Sequence, residues 1–204
     1  MTTRPEPALH VARLTHPDAA PTPRAVLRAY FHAKDENRPQ VMRQAFAPDA
    51  TLDIVNRSAS IAFPARTEGR EAIADVLVRA FGRTYENVRT FYLDAPPPDA
   101  RRFSCDWLVA MSDKERGCAR VGCGRYDWTF DTPGTGLASG LVITIEAMLV
   151  LEPALLDVTL EAIDRLDYPW TAAAAAAAVL RAPSELASAL GPVLAWLERG
   201  AQAG

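Results

Sequence analysis

The amino-acid sequence predicts an α+β fold, helices first and then a strand meander, with further helices appended after the sheet. Three observations carry that prediction. Apolar residues from Val26 to Phe81 recur mostly at helical spacing, those from Asn87 to Leu151 fall into four long extended runs, and alanine dominates beyond Thr171. That order suits helices covering one face of an antiparallel sheet, whereas a doubly wound parallel sheet needs strands and helices to alternate.

The elements follow in order. Thr22-Pro23 supplies an N-cap and a proline at the first helical position, and Val26, Leu27, Tyr30 and Phe31 form the apolar stripe behind it. The helix breaks before Pro39, and a second short helix carries Val41, Met42, Ala45 and Phe46 up to the Pro48-Asp49 stop. Thr51 to Val55 alternates as a strand, with Ser60 to Pro64 as its expected short partner. Gly69-Arg-Glu opens a run with Ile73, Val76, Leu77, Ala80 and Phe81 at helical spacing. The four strands are Asn87 to Leu93, Phe103 to Met111, Cys118 to Phe130 and Leu141 to Leu151, separated by turn-rich stretches such as APPPDA and SDKERG.

At 204 residues the chain can bury a sizeable core, and 49% hydrophobic with 23% charged residues excludes disorder throughout. A net charge of -3 offers no excess of cations to neutralise phosphates, so no nucleic acid is expected as a partner. The first 23 residues hold five of the 16 prolines and lack the apolar core of a secretory signal, so residues 1–21 read as a proline-rich arm. Residues 22–165 read as the main domain and 166–204 as an alanine-rich helical extension. The longest apolar run in that extension, Ala172 to Leu180, is too short to span a bilayer, and a cytoplasmic location without membrane attachment is expected. Cys105, Cys118 and Cys123 are an odd set without zinc-site spacing and read as reduced core thiols. Neither a phosphate-binding glycine loop, nor GxSxG, nor HExxH, nor a cluster of metal ligands occurs, so no cofactor and no metal is expected.

Between about residues 22 and 165 the chain resembles the nuclear transport factor 2-like superfamily, its SnoaL-like branch in particular. The resemblance rests on Ala29-Tyr-Phe-His-Ala33, Phe46-Ala-Pro-Asp-Ala-Thr51, Glu68-Gly-Arg-Glu-Ala-Ile73 and Val121-Gly-Cys-Gly-Arg-Tyr-Asp-Trp128, in that order and spacing. It implies a cone, in which a strongly bent sheet wraps the N-terminal helices around a deep pocket, and a homodimer formed through the sheet. The superfamily includes isomerases, cyclases, dehydratases and epoxide hydrolases as well as members without catalysis, so the fold alone does not assign a function.

The interval from Tyr30 to Ala50 matches, without a gap, that from the oxyanion-hole tyrosine of ketosteroid isomerase to its corresponding turn, which makes Tyr30 the leading polar pocket residue. The isomerase's general base then falls on Ile54, which cannot take a proton. Asp53 lies one place earlier and should look away from the cavity if Leu52 and Ile54 look in. In the third long strand Gly122, Gly124, Tyr126, Trp128 and Phe130 share one face, assigned to the cavity, with the glycines permitting curvature and the rings lining the space. Tyr126 falls, by a looser match, where the isomerase holds a protonated acid. In the last strand Ile143, Ile145, Ala147, Leu149 and Leu151 form an apolar face expected to pack inward, leaving Glu146 outside near Arg125 or Asp127. Asp106, Arg125, Asp127 and Glu146 also echo the water-activating set of the superfamily's epoxide hydrolases, on the wrong strand and face. His32 lies roughly 200° around the helix from Tyr30 and should not share its wall.

The expected function is therefore a pocket lined by Tyr30, Leu52, Ile54, Trp107, Tyr126 and Trp128 that binds a small apolar or aromatic molecule. The alternative is a cyclase, isomerase or dehydratase that uses Tyr30 and Tyr126 as oxygen-binding donors and Asp53 or Asp106 as base. A third is a protein-interaction module whose alanine-rich tail docks on a partner or over the cone mouth.

Overall fold

A computed structural model describes residues 20–130 and 134–202; His10, His16 and nearly all of the proline-rich arm lie outside these residues. Helix α1 spans Pro23–Asp35, begun as expected by Thr22, whose hydroxyl accepts from the Ala25 amide, and by Pro23 at the first position. A 3₁₀ segment, Pro39–Gln44, leads into strand β1, Phe46–Asn56. The partner of β1 is β2, Arg66–Glu68, rather than the expected Ser60 to Pro64. Pro64 lacks an amide for a ladder. The Ser60 hydroxyl also bonds to the Met148 carbonyl and fastens this stretch across the sheet instead.

Helices α2, Arg70–Ala74, and α3, Phe81–Thr84, are joined by a π-helical turn, Asp75–Ala80, and carry the chain to the far edge of the sheet. Strands β3, Tyr85–Tyr92, β4, Arg102–Asp113, β5, Cys118–Thr129, and β6, Ala138–Val150, then return as a meander. The strand order is β2-β1-β6-β5-β4-β3, with β1 and β6 parallel and all other pairs antiparallel. The sheet is therefore mixed where a wholly antiparallel one was expected, because the helical crossover brings β6 back alongside β1 in the same direction.

Two apolar layers sandwich the sheet. The inner one packs Val26, Leu27, Tyr30 and Phe31 of α1 and Ile73 and Leu77 against Leu52, Tyr126, Trp128 and Ile143. The outer one packs Phe91, Leu108, Val121 and Cys123 beneath the C-terminal helices α4, Leu156–Ile163, α5, Ala173–Arg181, α6, Ser184–Ala189, and α7, Gly191–Gln202. Those helices supply Ile163, Leu180, Leu186, Val193 and Leu197, and the link between α6 and α7 supplies Leu190. The alanine-rich tail thus lies on the chain's own sheet and not over the cone mouth. The C-terminal helices thus cover the outer face of β3, β4 and β5, whereas Val55 and the Asp53–Arg66 pair leave that of β1 and β2 open. Before α5, the Tyr92 amide donates to the Pro169 carbonyl and the Thr171 amide to the Tyr92 carbonyl, so the β3 edge is partly paired as well. No helix among the described residues is long and apolar enough to cross a membrane.

One irregularity decides which side chains reach the cavity. Cys123 of β5 pairs with Ala147 of β6, but its neighbour Gly124 pairs with Ile145, leaving Glu146 as the extra residue of a bulge. The pleat reverses there. Ile143 and Ile145 face the inner core, whereas Ala147, Leu149 and Leu151 face the outer layer, so the apolar run expected on one face is divided between two. Gly124 is required at this point, since a Cβ would overlap the Thr144 carbonyl oxygen and press on the Trp107 ring.

Candidate functional site

Between α1, the α2–α3 segment and the inner sheet face lies a narrow cavity. The space open to the centre of a water molecule is about 50 Å³, inside an envelope of about 460 Å³ that includes its mouth. That interior holds a few water molecules or a flat ring of similar thickness. Its walls include Ile54, Trp107, Val109, Tyr126, Ile145 and Met148, and Ile61, Phe63 and Phe81 stand at the side shared with a neighbouring surface groove. The segment carrying Ile61 and Phe63 is tied down at Ser60, whose carbonyl accepts from Arg120 at 2.6 Å. Arg120 is itself held by Asp113 at 2.9 Å, in an ion pair whose side chains are both almost wholly buried.

The polar groups on this wall come from four elements. Tyr30 and Lys34 stand one turn apart on the same face of α1, as an i,i+4 pair must. Thr90 comes from β3, and Trp107 and Tyr126 from β4 and β5, their rings stacked with centroids 5.5 Å apart. Lys34 is buried, and its Nζ donates to Asp35 at 2.6 Å and to the Thr90 hydroxyl at 2.7 Å. Asp35 sits behind it, off the cavity wall, and also accepts from the Thr90 amide and hydroxyl and from the Tyr168 hydroxyl. Tyr30 meets Tyr126 edge to face at 6.1 Å and Trp128 at 5.2 Å. The two phenols influence one another electrostatically, yet the Tyr30 hydroxyl has no hydrogen bond of acceptable geometry among the described residues. Burial pushes both phenols far above the ordinary tyrosine range, so both remain protonated donors.

A family model for the SnoaL-like domain matches residues 24–135. The chain belongs to the SnoaL-like domain family. Solved structures are similar as well. A proposed isomerase from Rhodopseudomonas palustris superimposes with a TM-score of 0.50 at 10% identity, over 60% of this chain and 87% of that one. A nuclear transport factor 2-like protein from Burkholderia thailandensis gives 0.49 at 14% identity, over 62% and 92%. A protein of ketosteroid isomerase-like fold from Catenulispora acidiphila, solved with trimethylamine, gives 0.47 at 19% identity, over 60% and 85%. No curated protein matches this chain.

Within this SnoaL-like domain the site residues expected from sequence are distributed unevenly. Tyr30, Ile54, Trp107 and Tyr126 meet at the cavity wall. Leu52 and Trp128 are buried in the same inner core without lining the space. Neither expected base reaches it: Asp53 points away and is held by Arg66 at 2.9 and 3.1 Å, and Asp106 lies on the outer sheet face, paired with Arg125 at 3.3 Å. Burial raises the Asp106 carboxyl, with Arg125 opposing that shift, but the sheet separates it from the cavity. Arg125 also approaches Asp127 on that outer face, while Glu146 pairs with Arg57 at 2.8 Å rather than with Arg125 or Asp127. The four do not form one cluster. His32 is exposed and bonded to Glu36. Among the described residues no group of three His, Cys, Asp or Glu side chains could hold a metal ion. The residue missed from sequence is Lys34, although the helical period carries the face of Tyr30 to it one turn later.

Proposed function

We propose that this SnoaL-like domain binds a small apolar or aromatic molecule, of the size of a single ring, in the cavity beneath α1. The observation that carries this reading is the composition of the wall: aromatic and aliphatic side chains, hydrogen-bond donors at one end, and neither a carboxylate nor an imidazole among its described residues. A cyclase, isomerase or dehydratase mechanism needs a proton acceptor within reach of the substrate, and Asp53 and Asp106 face elsewhere. Tyr30 and Tyr126 then serve to orient an oxygen rather than to drive chemistry. A homodimer through the sheet would have to use the outer face of β1 and β2, since the C-terminal helices occupy that of β3, β4 and β5.

The test is a thermal-shift series with single-ring aromatic compounds on the full chain and on Val109→Trp, which fills the cavity. A bound compound at 100 times its Kd should stabilise the fold by about 2.7 kcal/mol, and the filled variant should not respond. Equal shifts for both proteins would place binding elsewhere and overturn the reading.

A further inference from the structure

At one end of the cavity lies an arrangement that the binding of a purely apolar molecule leaves unused. Lys34 is the one charged side chain on the described wall. An ammonium carries three donors, and two of those on Lys34 go to Asp35 and Thr90. Asp35 does not depend on Lys34 alone, since the Thr90 amide, the Thr90 hydroxyl and the Tyr168 hydroxyl also donate to it. The cation therefore keeps one donor unspent, with its counterion already served from behind. One turn earlier on the same face, the fully buried Tyr30 hydroxyl makes no well-formed hydrogen bond among the described residues, the Tyr126 hydroxyl being its polar neighbour. A buried donor without an acceptor is costly, and an acceptor brought by a ligand removes that cost. The Trp107 indole N–H is unpaired too, but so are those of Trp128, Trp170 and Trp196, so the weight falls on Tyr30 and Lys34.

We propose that the cavity takes a small aromatic carboxylate, its anionic oxygen held by the Lys34 ammonium and the Tyr30 hydroxyl and its ring against Ile54, Trp107 and Ile145. This rests on the reading that the cavity holds a single-ring apolar body. A neutral carbonyl would satisfy Tyr30 but leave the cation unanswered, whereas a carboxylate gains charge-assisted hydrogen bonding from Lys34 and meets no negative side chain on the wall. An amine, which brings donors to donors, is rejected.

Calorimetric titration of the full chain with benzoate, acetophenone, benzylamine and ethylbenzene tests the assignment, since the four share a ring and differ in the group presented to Lys34. Benzoate should bind about tenfold or more tightly than ethylbenzene, the scale of a charge-assisted hydrogen bond in a closed site. Acetophenone should fall between them, and benzylamine should bind most weakly. Lys34→Met should bring benzoate down to the level of ethylbenzene without changing ethylbenzene. Tyr30→Phe should weaken benzoate and acetophenone alone, and because it removes only a hydroxyl without a well-formed hydrogen bond it keeps the test valid if Lys34→Met fails to fold. The proposal is overturned if acetophenone or ethylbenzene binds as tightly as benzoate, or if neither substitution weakens benzoate. Binding of none of the four overturns the underlying single-ring reading and this inference with it.

Discussion

Tyr30 shows how a side chain can cost the fold stability while preparing it for a ligand. Its ring is packed by Phe31, Phe46, Tyr126 and Trp128, yet its hydroxyl makes no well-formed hydrogen bond among the described residues. Tyr30→Phe should therefore leave stability unchanged or raise it by up to about 1 kcal/mol in urea unfolding, and a loss of more than that would reveal a hidden hydrogen bond. The buried phenols also set an alkaline limit. Desolvation raises Tyr30, Tyr92 and Tyr126 above the value of about 10 that tyrosine has in the unfolded chain. The unfolded state then loses protons first, so the associated stability is fully present below about pH 10 and declines as pH rises beyond it. Denaturant midpoints measured from pH 8 to 11.5 should be flat and then fall above pH 10; a flat profile throughout would show that the phenols are not desolvated. At this scale Tyr30 was legible from its place in the apolar stripe of α1 together with the family resemblance. Lys34 was not, because lysine reads as a solvent-facing residue until Asp35 and Thr90 are seen to meet it.

Among the elements, the β5–β6 pair controls the cavity more than any helix does. Alternation along β6 predicts one apolar face from Ile143 to Leu151, and the bulge at Glu146 splits it. Ile145 is thereby directed to the cavity, and Ala147, Leu149 and Leu151 to the C-terminal helices. Gly124 permits the close approach that the bulge requires, so Gly124→Ala should destabilise the protein by about 1–3 kcal/mol or more, seen as a lowered Tm. An unchanged Tm would mean that β6 can move away at little cost. The bulge was not legible because period-2 patterning identifies faces only while the pairing is one to one, and an extra residue is a property of two strands together. The inner-face placement of Tyr126 and Trp128 was legible, from alternation along one strand.

For the whole molecule, the chain is a sheet with a private cover on each side. On the outer face of β3, β4 and β5, Phe91, Leu108, Ala110, Val121 and Cys123 are buried in a layer formed largely with α4 to α7 of the same chain. A chain ending after residue 165 would uncover much of that apolar surface, and patches of this kind drive association. The truncated protein should therefore form dimers or aggregates in light scattering at concentrations where the full chain does not. If the truncated chain stayed monomeric and soluble, the C-terminal layer would not be what shields the face. The alanine-rich composition of residues 171–204 was legible as helix, but its docking site was not, because small apolar side chains pack against many surfaces and specify none by pattern.

Local rules in the sequence were sufficient for the order and type of nearly all elements: the Thr22-Pro23 cap, the stripe along α1, and the alternation that sets Tyr126 and Trp128 on the inner face. The tertiary structure alone decided that β1 and β6 run parallel, that Glu146 bulges, that the tail covers the sheet, and that Lys34 joins Tyr30 on the cavity wall. The physical reason is range. Caps and periodicity are settled within one or two turns of chain, whereas the direction of a buried charge depends on partners such as Thr90, 56 residues away.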